Sequence, residues 1–516
     1  MKRSTAPQLQ VEAPRAGFTW VDGVVMLALL AMFWSALHFG KGMLVHFDAS
    51  TQTPIDRSVA QIPYYAGRTL LRMWIAFAFS LVFAIATGYA AAKSLRARAV
   101  ILPALDILQS VPVLGFLSAT VTGFMALFPG SLLGVECAAI FAIFTSQAWN
   151  MAFSLYQSMR TVPAELREAS SVFQLSAWHR FWRLEMPFAA PGLLWNMMMS
   201  MSGGWFFVVA SEAISVSNQN IKLPGVGSYI ALAIEARDLG AIGWAIGGML
   251  IGITLYDQLF FRPLVAWADK FRFEEGSTEE APRSWLLTWL RRTDRLKRMI
   301  LGAASLLERS LVWFRRDHDG TSIKARPHPP NAAAARVWDA AIAAAVLIAV
   351  IWLVRFIHTE VGWSEVFHVL LLGLYTMIRV VVLIALAALA WVPIGVWIGM
   401  NPRWAGRLQG VAQFMAAFPA NLMFPVAVLF IVRWQLNPNI WLAPLMVLGT
   451  QWYLLFNVIA GASTVPAELR YAAENLGLTG WLKWRRYLLP AVFPSSSRAP
   501  SPPAAAPGTR ASWPST

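Results

Sequence analysis

The chain has 516 residues, of which 57% are hydrophobic, 13% aromatic and only 13% charged, and its net charge is +15. Soluble domains carry about 25% charged residues, so this composition cannot cover a water-facing surface of such size and excludes a string of soluble domains. The single cysteine, Cys137, excludes an internal disulfide framework.

A membrane-crossing helix needs about 20 predominantly apolar residues. In chain order the candidates are residues 20–39, 69–92, 99–128, 132–156, 189–210 and 239–261, then, after a long polar stretch, 337–357, 369–400, 408–432 and 440–461. That is ten spans in an all-α, polytopic membrane protein. The first is read as a retained span: its apolar run is longer than a signal peptide's, and no small-x-small cleavage site follows.

Lys and Arg set orientation. With the N-terminus inside, the inner segments of the first half hold ten Lys/Arg and the outer segments five, which favours a cytoplasmic N-terminus. Residues 262–336 then lie inside, with 15 Lys/Arg and 9 Asp/Glu. The basic excess therefore needs no nucleic acid. A stretch within it, 285–314, reads equally as a helix on the membrane surface or a solvated linker helix.

The chain repeats itself. Thr161–Arg167 recurs as Thr464–Arg470, an offset of 303 that runs on without a gap, with 12 of 27 positions identical over 161–187. Upstream, Thr69-x-x-Arg72 matches Thr376-x-x-Arg379 at offset 307. Six spans precede the second copy, so it enters in the same orientation. This is a parallel repeat with a pseudo-two-fold axis along the membrane normal, an arrangement suited to transport. The expected organisation is a first unit over 1–268 with a cytoplasmic loop at 157–188, a basic linker over 269–336, a second unit over 337–494 with its loop at 462–490, and a tail over 495–516. The second unit has four spans and lacks the counterparts of the last two. The Ser/Pro/Ala-rich tail reads as a frameshifted or mispredicted end in preference to a disordered natural one.

The strongest repeat lies in the two loops. Pro163 and Pro466 suit a first helical turn, and Glu165 and Glu468 suit its positive end. Glu168-Ala169-Ser170 followed by Gln174 and Pro187, and Tyr471-Ala472-Ala473 followed by Gly477 and Pro490, share one spacing. That spacing resembles the Glu-Ala-Ala, Gly, Pro pattern in the cytoplasmic loop of permease subunits of bacterial ATP-binding-cassette importers. The first copy departs from it at the Gly and the second at the Glu. The run Gly203-Gly204-Trp205 to Glu212, then Leu223-Pro224-Gly225-Val226-Gly227, is similar to the branch importing nitrate, sulfonates and taurine.

The resemblance implies a bacterial inner-membrane permease for a small anion, partnered by two cytoplasmic ATPase subunits and an outer solute-binding protein. Its docking residues would be Glu165, Arg167, Glu168, Ala169 and Ser170, and Glu468, Arg470, Ala472, Ala473 and Gly477. Packing of the small residues on the chain's own spans is the plainer alternative. No phosphate-binding loop occurs, so ATP hydrolysis would fall to the partner, and no cofactor or metal site is expected. An ion-coupled secondary transporter and a truncated, inactive permease stay open as alternatives.

Charges within spans are functional candidates. Arg72 and Arg379 could face an anion pathway or snorkel to the outer interface, the second being favoured. Pro112 and Pro419 are expected to kink matching spans. Trp205 and Glu212 complete the candidate pathway, with Glu136 and Glu212 expected near the outer surface and open to solvation.

Overall fold

The computed structural model describes residues 34–46 except 36, 55–111, 113–216, 219–268 and 271 in the first half, and 332–401, 423–448, 451–463, 465 and 467–492 in the second, with 404, 408, 411, 412 and 415. The span expected at 20–39 up to residue 33, the linker from 272 to 331, Pro112, Pro419, Pro466 and the tail lie outside the described residues.

Helix α1 (Ile62–Lys93) opens on Pro63 in its first turn and runs to Ser94 with no proline in its interior. Ser94 is extended, and its hydroxyl accepts from Ala97 N–H, starting α2 (Leu95–Ser110). Helix α3 (Val113–Leu127) follows. The single span expected over 99–128 is therefore two shorter helices. The break has a local cause: Val111 precedes a proline, which disfavours the helical region, and it sits at ψ 125.

Helix α4 (Leu133–Arg160) is the central rod of the first copy. Ala138, Ala139, Ala142, Ala148 and Ala152 are buried along it, and small side chains let neighbouring backbones come close. After a short loop helix, α5 (Ala164–Val172), a turn over Ala177–Arg180 and a π-helical segment Phe181–Glu185 lead into α6 (Met186–Glu212). A two-stranded hairpin follows, β1 (Ala213–Val216) with β2 (Gln219–Lys222), registered Ala213 to Lys222 and Val216 to Gln219. The sequence reading did not foresee this small departure from an all-helical chain. Helices α7 (Val226–Glu235) and α8 (Leu239–Tyr256) complete the copy. Its core joins Met73, Ile143, Met151, Leu155, Met201, Trp205 and Ile242.

The second copy supplies α9 (Ala332–Phe356), α10 (Trp363–Gly399), α11 (Phe424–Arg433), α12 (Gln451–Ser463) and α13 (Ala467–Asn475). Contacts divide the described residues into two units, one holding 332–383 and the other holding the first copy together with 384–492. Six helices among the described residues are long and apolar enough to cross a membrane, and they fall on six of the ten expected spans.

The repeat extends to helix packing. A Cβ on Gly88 would lie 3.1 Å from the Ala152 carbonyl oxygen and 3.1 Å from Leu155 Cβ. A Cβ on Gly395 would lie 2.7 Å from Val458 and 3.4 Å from Leu455. Gly395 is Gly88 shifted by 307, and Leu455 and Val458 are Ala152 and Leu155 shifted by 303. The α1–α4 crossing recurs as α10–α12, made possible in each case by a missing side chain. The copies also touch: Trp195 of α6 stacks on Phe456 of α12 at 4.8 Å, and Tyr453 donates to the Met199 carbonyl at 3.0 Å.

Candidate functional site: two loop segments and a buried ion cluster

The loop helices end in the same way. At the end of α5, Leu175 N–H donates to Ser170 O and Gln174 N–H to Ser171 O. At the end of α13, Leu478 N–H donates to Ala473 O and Gly477 N–H to Glu474 O. Each pair is a Schellman cap, which needs a left-handed residue just past the helix. Gln174 and Gly477 fill that position with φ 49° and 63°. The glycine of the loop pattern is thus explained by the helix cap it makes, and Gln174 adopts the same backbone at a steric cost.

The geometry stays matched beyond the caps. Phe181–Glu185 and Trp484–Leu488 are both π-helical, again 303 apart. In each, the residue before the proline, Met186 or Leu489, donates five residues back, to Phe181 O or Trp484 O. A proline offers no N–H to the carbonyl four residues earlier, and the wider turn absorbs that defect.

Glu165, Arg167, Glu168 and Ala169 are exposed on α5, and Glu468, Arg470 and Ala472 on α13. Ser170 and Ala473 are buried, at 5% and 4% exposure, so these two expected docking residues face inward. Arg167 also has an internal duty: its Nη2 donates to the Met159 and Arg160 carbonyls at 3.1 Å each, closing the C-terminus of α4. Arg470 instead reaches Glu474 at 3.4 Å. Next to the exposed charges stand apolar side chains at matching positions, Phe173 at 76% and Leu476 at 74% exposure. The first loop is further tied to its spans by the Lys93–Glu185 ion pair and by Tyr89 packed edge-on against Phe181 at 5.0 Å.

At the other end of α4, 24 residues or about 36 Å away, lies a cluster that sequence reasoning missed as a unit. Arg72 makes a two-pronged contact with Glu136, Nε to Oε2 at 2.5 Å and Nη2 to Oε1 at 2.7 Å. Its Nη1 donates to Glu212 Oε1 at 2.7 Å, and its Nη2 also reaches the Pro224 carbonyl at 2.9 Å. Arg68 donates to Glu136 Oε1 at 2.6 Å. Thr69 donates to Glu212 Oε1 at 2.6 Å, and Gly227 N–H donates to Oε2 at 2.7 Å. Two guanidinium groups and two carboxylates cancel, with every member at 1% exposure or less. The cluster ties α1, α4, α6 and the start of α7 together.

Two expectations are corrected here. Arg72 does not snorkel, because Glu136 and Glu212 together hold it. Glu136 and Glu212 are not solvated, because desolvating a carboxylate is tolerable where a guanidinium fork meets it. The Leu223–Gly227 run acquires a physical reason. A Cβ on Gly225 would collide with the Glu212 carboxylate, and one on Gly227 with the Val209 backbone. The turn can close over the buried acid only because both are glycine. Trp205 is 1% exposed and packs edge-on against Tyr256 at 5.9 Å, inside the core. Arg379 lies exposed on α10. The signal that could have found the cluster was the Arg68-Thr69-x-x-Arg72 spacing, which puts three polar groups on one face of an apolar helix.

A family profile described as binding-protein-dependent transport system inner membrane component matches residues 80–261 and again 391–496. A glycine betaine/carnitine transport permease protein of Listeria monocytogenes is 25% identical over 189 residues, 36% of this chain and 59% of its own length. A nitrate import permease protein of Synechocystis is 25% identical over 162 residues, 31% of this chain and 54% of its own. A putative aliphatic sulfonates transport permease protein of Bacillus subtilis is 20% identical over 285 residues, 52% of this chain and 96% of its own. The chain spans between half and three-fifths of the length of the first two relatives.

Proposed function

The chain belongs to the family of binding-protein-dependent transport system inner membrane components, a multi-pass helical membrane protein matched twice along its length, and we propose that it forms the membrane passage of an ATP-driven importer. ATP is hydrolysed by a separate cytoplasmic subunit, two copies of which take the two loop segments, while an outer binding protein delivers the solute. The N-terminus is cytoplasmic. The solute carries an oxyanion group: the relatives are named for nitrate, for sulfonates and for betaines, whose negative end is a carboxylate.

The observation that carries this reading is the duplicated loop geometry. Two short helices with the same caps, the same left-handed residue and the same π segment present exposed charge at matching positions. A connection between spans needs no such repetition, whereas docking to a two-fold partner does. Glu165, Arg167, Glu168 and Ala169, with Glu468, Arg470 and Ala472, form the contact. Ser170, Ala473 and Gly477 shape the helices behind it.

The test is co-purification. Wild type should carry an ATPase subunit through purification from the native membrane, and a Glu165→Arg/Glu468→Arg double variant should lose it while keeping its own yield. Retention of the ATPase by the double variant overturns the docking assignment.

A further inference from the structure

We propose that Arg98 and Arg160, held together by Tyr156, bind the phosphate of an anionic phospholipid at the inner edge of the first copy. The side of the membrane rests on the importer reading above, which puts the loop segments in the cytoplasm; the binding chemistry does not. Tyr156 lies in the last turn of α4. Its hydroxyl accepts from Arg160 Nη1 at 3.0 Å, and the same guanidinium stands 5.8 Å from the ring centroid. Arg98, near the start of α2, reaches that hydroxyl as well. Two guanidinium groups from different helices thus converge on one phenol.

Like charges brought this close repel unless an anion joins them. Neither arginine has an acidic partner among the described residues. Glu185, the buried acid on this side, is held by Lys93 and Arg180. Asp106 accepts from Gln109 at 3.1 Å, and Glu165 and Glu168 are exposed on α5. The carbonyl end of α4 offsets part of the positive charge. Arg167 already caps that end, however, with its Nη2 on the Arg160 carbonyl at 3.1 Å, and it adds a third guanidinium.

Two observations choose a lipid as the occupant over the ATPase. Contact with a two-fold partner uses what both loops share, and this cluster is not shared. Arg98 at offset 307 becomes Ala405, and Tyr156 and Arg160 at offset 303 become Ile459 and Ser463. The second observation is the level of the cluster in the membrane. Tyr156 closes the apolar run 132–156 and Arg98 immediately precedes the run 99–128, so both stand where hydrocarbon gives way to headgroups. Val100, Ile107 and Leu108 are exposed along α2, which leaves apolar surface near the cluster for acyl chains. Paired guanidinium forks match the oxygens of a phosphate.

The test places the full chain in phosphatidylcholine nanodiscs with increasing phosphatidylglycerol at fixed ionic strength and follows its melting temperature. Wild type should show a saturating rise. Arg98→Gln/Arg160→Gln should raise the half-saturating phosphatidylglycerol fraction by roughly tenfold or more, the combined worth of two basic contacts to an anionic headgroup. Tyr156→Phe should shift it less in the same direction, and no shift removes Tyr156 from the assignment. Arg160→Lys, which keeps the charge and loses the fork, should fall between, and it decides the matter if the double variant does not fold, a wild-type response then overturning the site. Arg96→Gln removes an exposed charge outside the cluster and should leave the response unchanged. Wild type unmoved by phosphatidylglycerol overturns the proposal, as does a double variant that responds like wild type. So does an Arg96→Gln loss as large as the double variant's, since diffuse surface charge then explains the effect. Sodium phosphate reproducing the rise in pure phosphatidylcholine nanodiscs overturns the lipid in favour of a free anion. Loss of ATPase capture by the double variant in the same nanodiscs overturns it in favour of a partner contact. Failure of the importer reading shows separately, as wild type that brings no ATPase and still responds to the lipid.

Discussion

The two copies solve the same packing problems with different chemistry. In the first, Arg72 is locked by Glu136 and Glu212; in the second, Arg379 is exposed on α10 and the residue matching Glu136 is Asn439. In the first, Lys93 pairs with Glu185 where the loop meets α1. In the second, the matching residues are Met400 and Leu488, and both belong to one apolar cluster with Val396, Val458 and Tyr487. What stays the same is backbone: the glycine-mediated crossing, the Schellman cap and the π turn before the proline. Duplication kept the backbone devices that cap and turn the loops, and it let charge diverge between the copies.

The largest expected effect bears on that divergence. Removing one member of a buried ion cluster leaves the others charged and unpaired, at a cost of about 3–5 kcal/mol. Arg72→Leu should therefore lower the melting temperature of the detergent-solubilised chain sharply. Arg379→Leu should leave it within a few degrees of wild type. Equal losses at the two positions would show that both arginines are structural and would erase the contrast.

The ion pair at the loop offers a medium-sized test. Glu185→Leu alone strands Lys93, which is 32% exposed and partly hydrated, so the cost is reduced to roughly 1–3 kcal/mol. Lys93→Met/Glu185→Leu copies the second half and should recover most of it, since apolar replacements of buried ion pairs are often neutral. The interaction energy from the double-mutant cycle is the measurement. A double variant as unstable as the sum of its singles would mean that the two loops are anchored by different principles.

The parts of this architecture legible in the sequence were those with a periodic or repeated signal. The apolar runs give six spans that the structure reproduces, and Thr161–Arg167 against Thr464–Arg470 gives the repeat. The split of 99–128 was missed because hydropathy is blind to the one-residue effect of Pro112 on Val111. The Arg68–Arg72–Glu136–Glu212 cluster was missed because its partners are 64 to 143 residues apart, and each, taken singly, looks like a surface charge. At Gly477, spacing reports that a glycine is required without saying whether a partner or a backbone angle requires it.

The smallest effect isolates that last distinction. If the position after each loop helix serves the cap, its preference is set by φ alone, and glycine is favoured over any residue with a Cβ by about 1 kcal/mol. Gln174→Gly should then raise stability by about that amount, and Gly477→Gln should lower it by the same. Neither change should alter ATPase capture, because the exposed faces of α5 and α13 are untouched. If glycine instead serves close approach of a partner, the two substitutions should act on capture, with Gly477→Gln weakening it, and leave the melting temperature of the isolated chain where it was. The structure favours the first outcome, since nothing lies within 4 Å of a Cβ built on Gly477, so inside the chain it is the left-handed backbone and not crowding that makes glycine the better residue there.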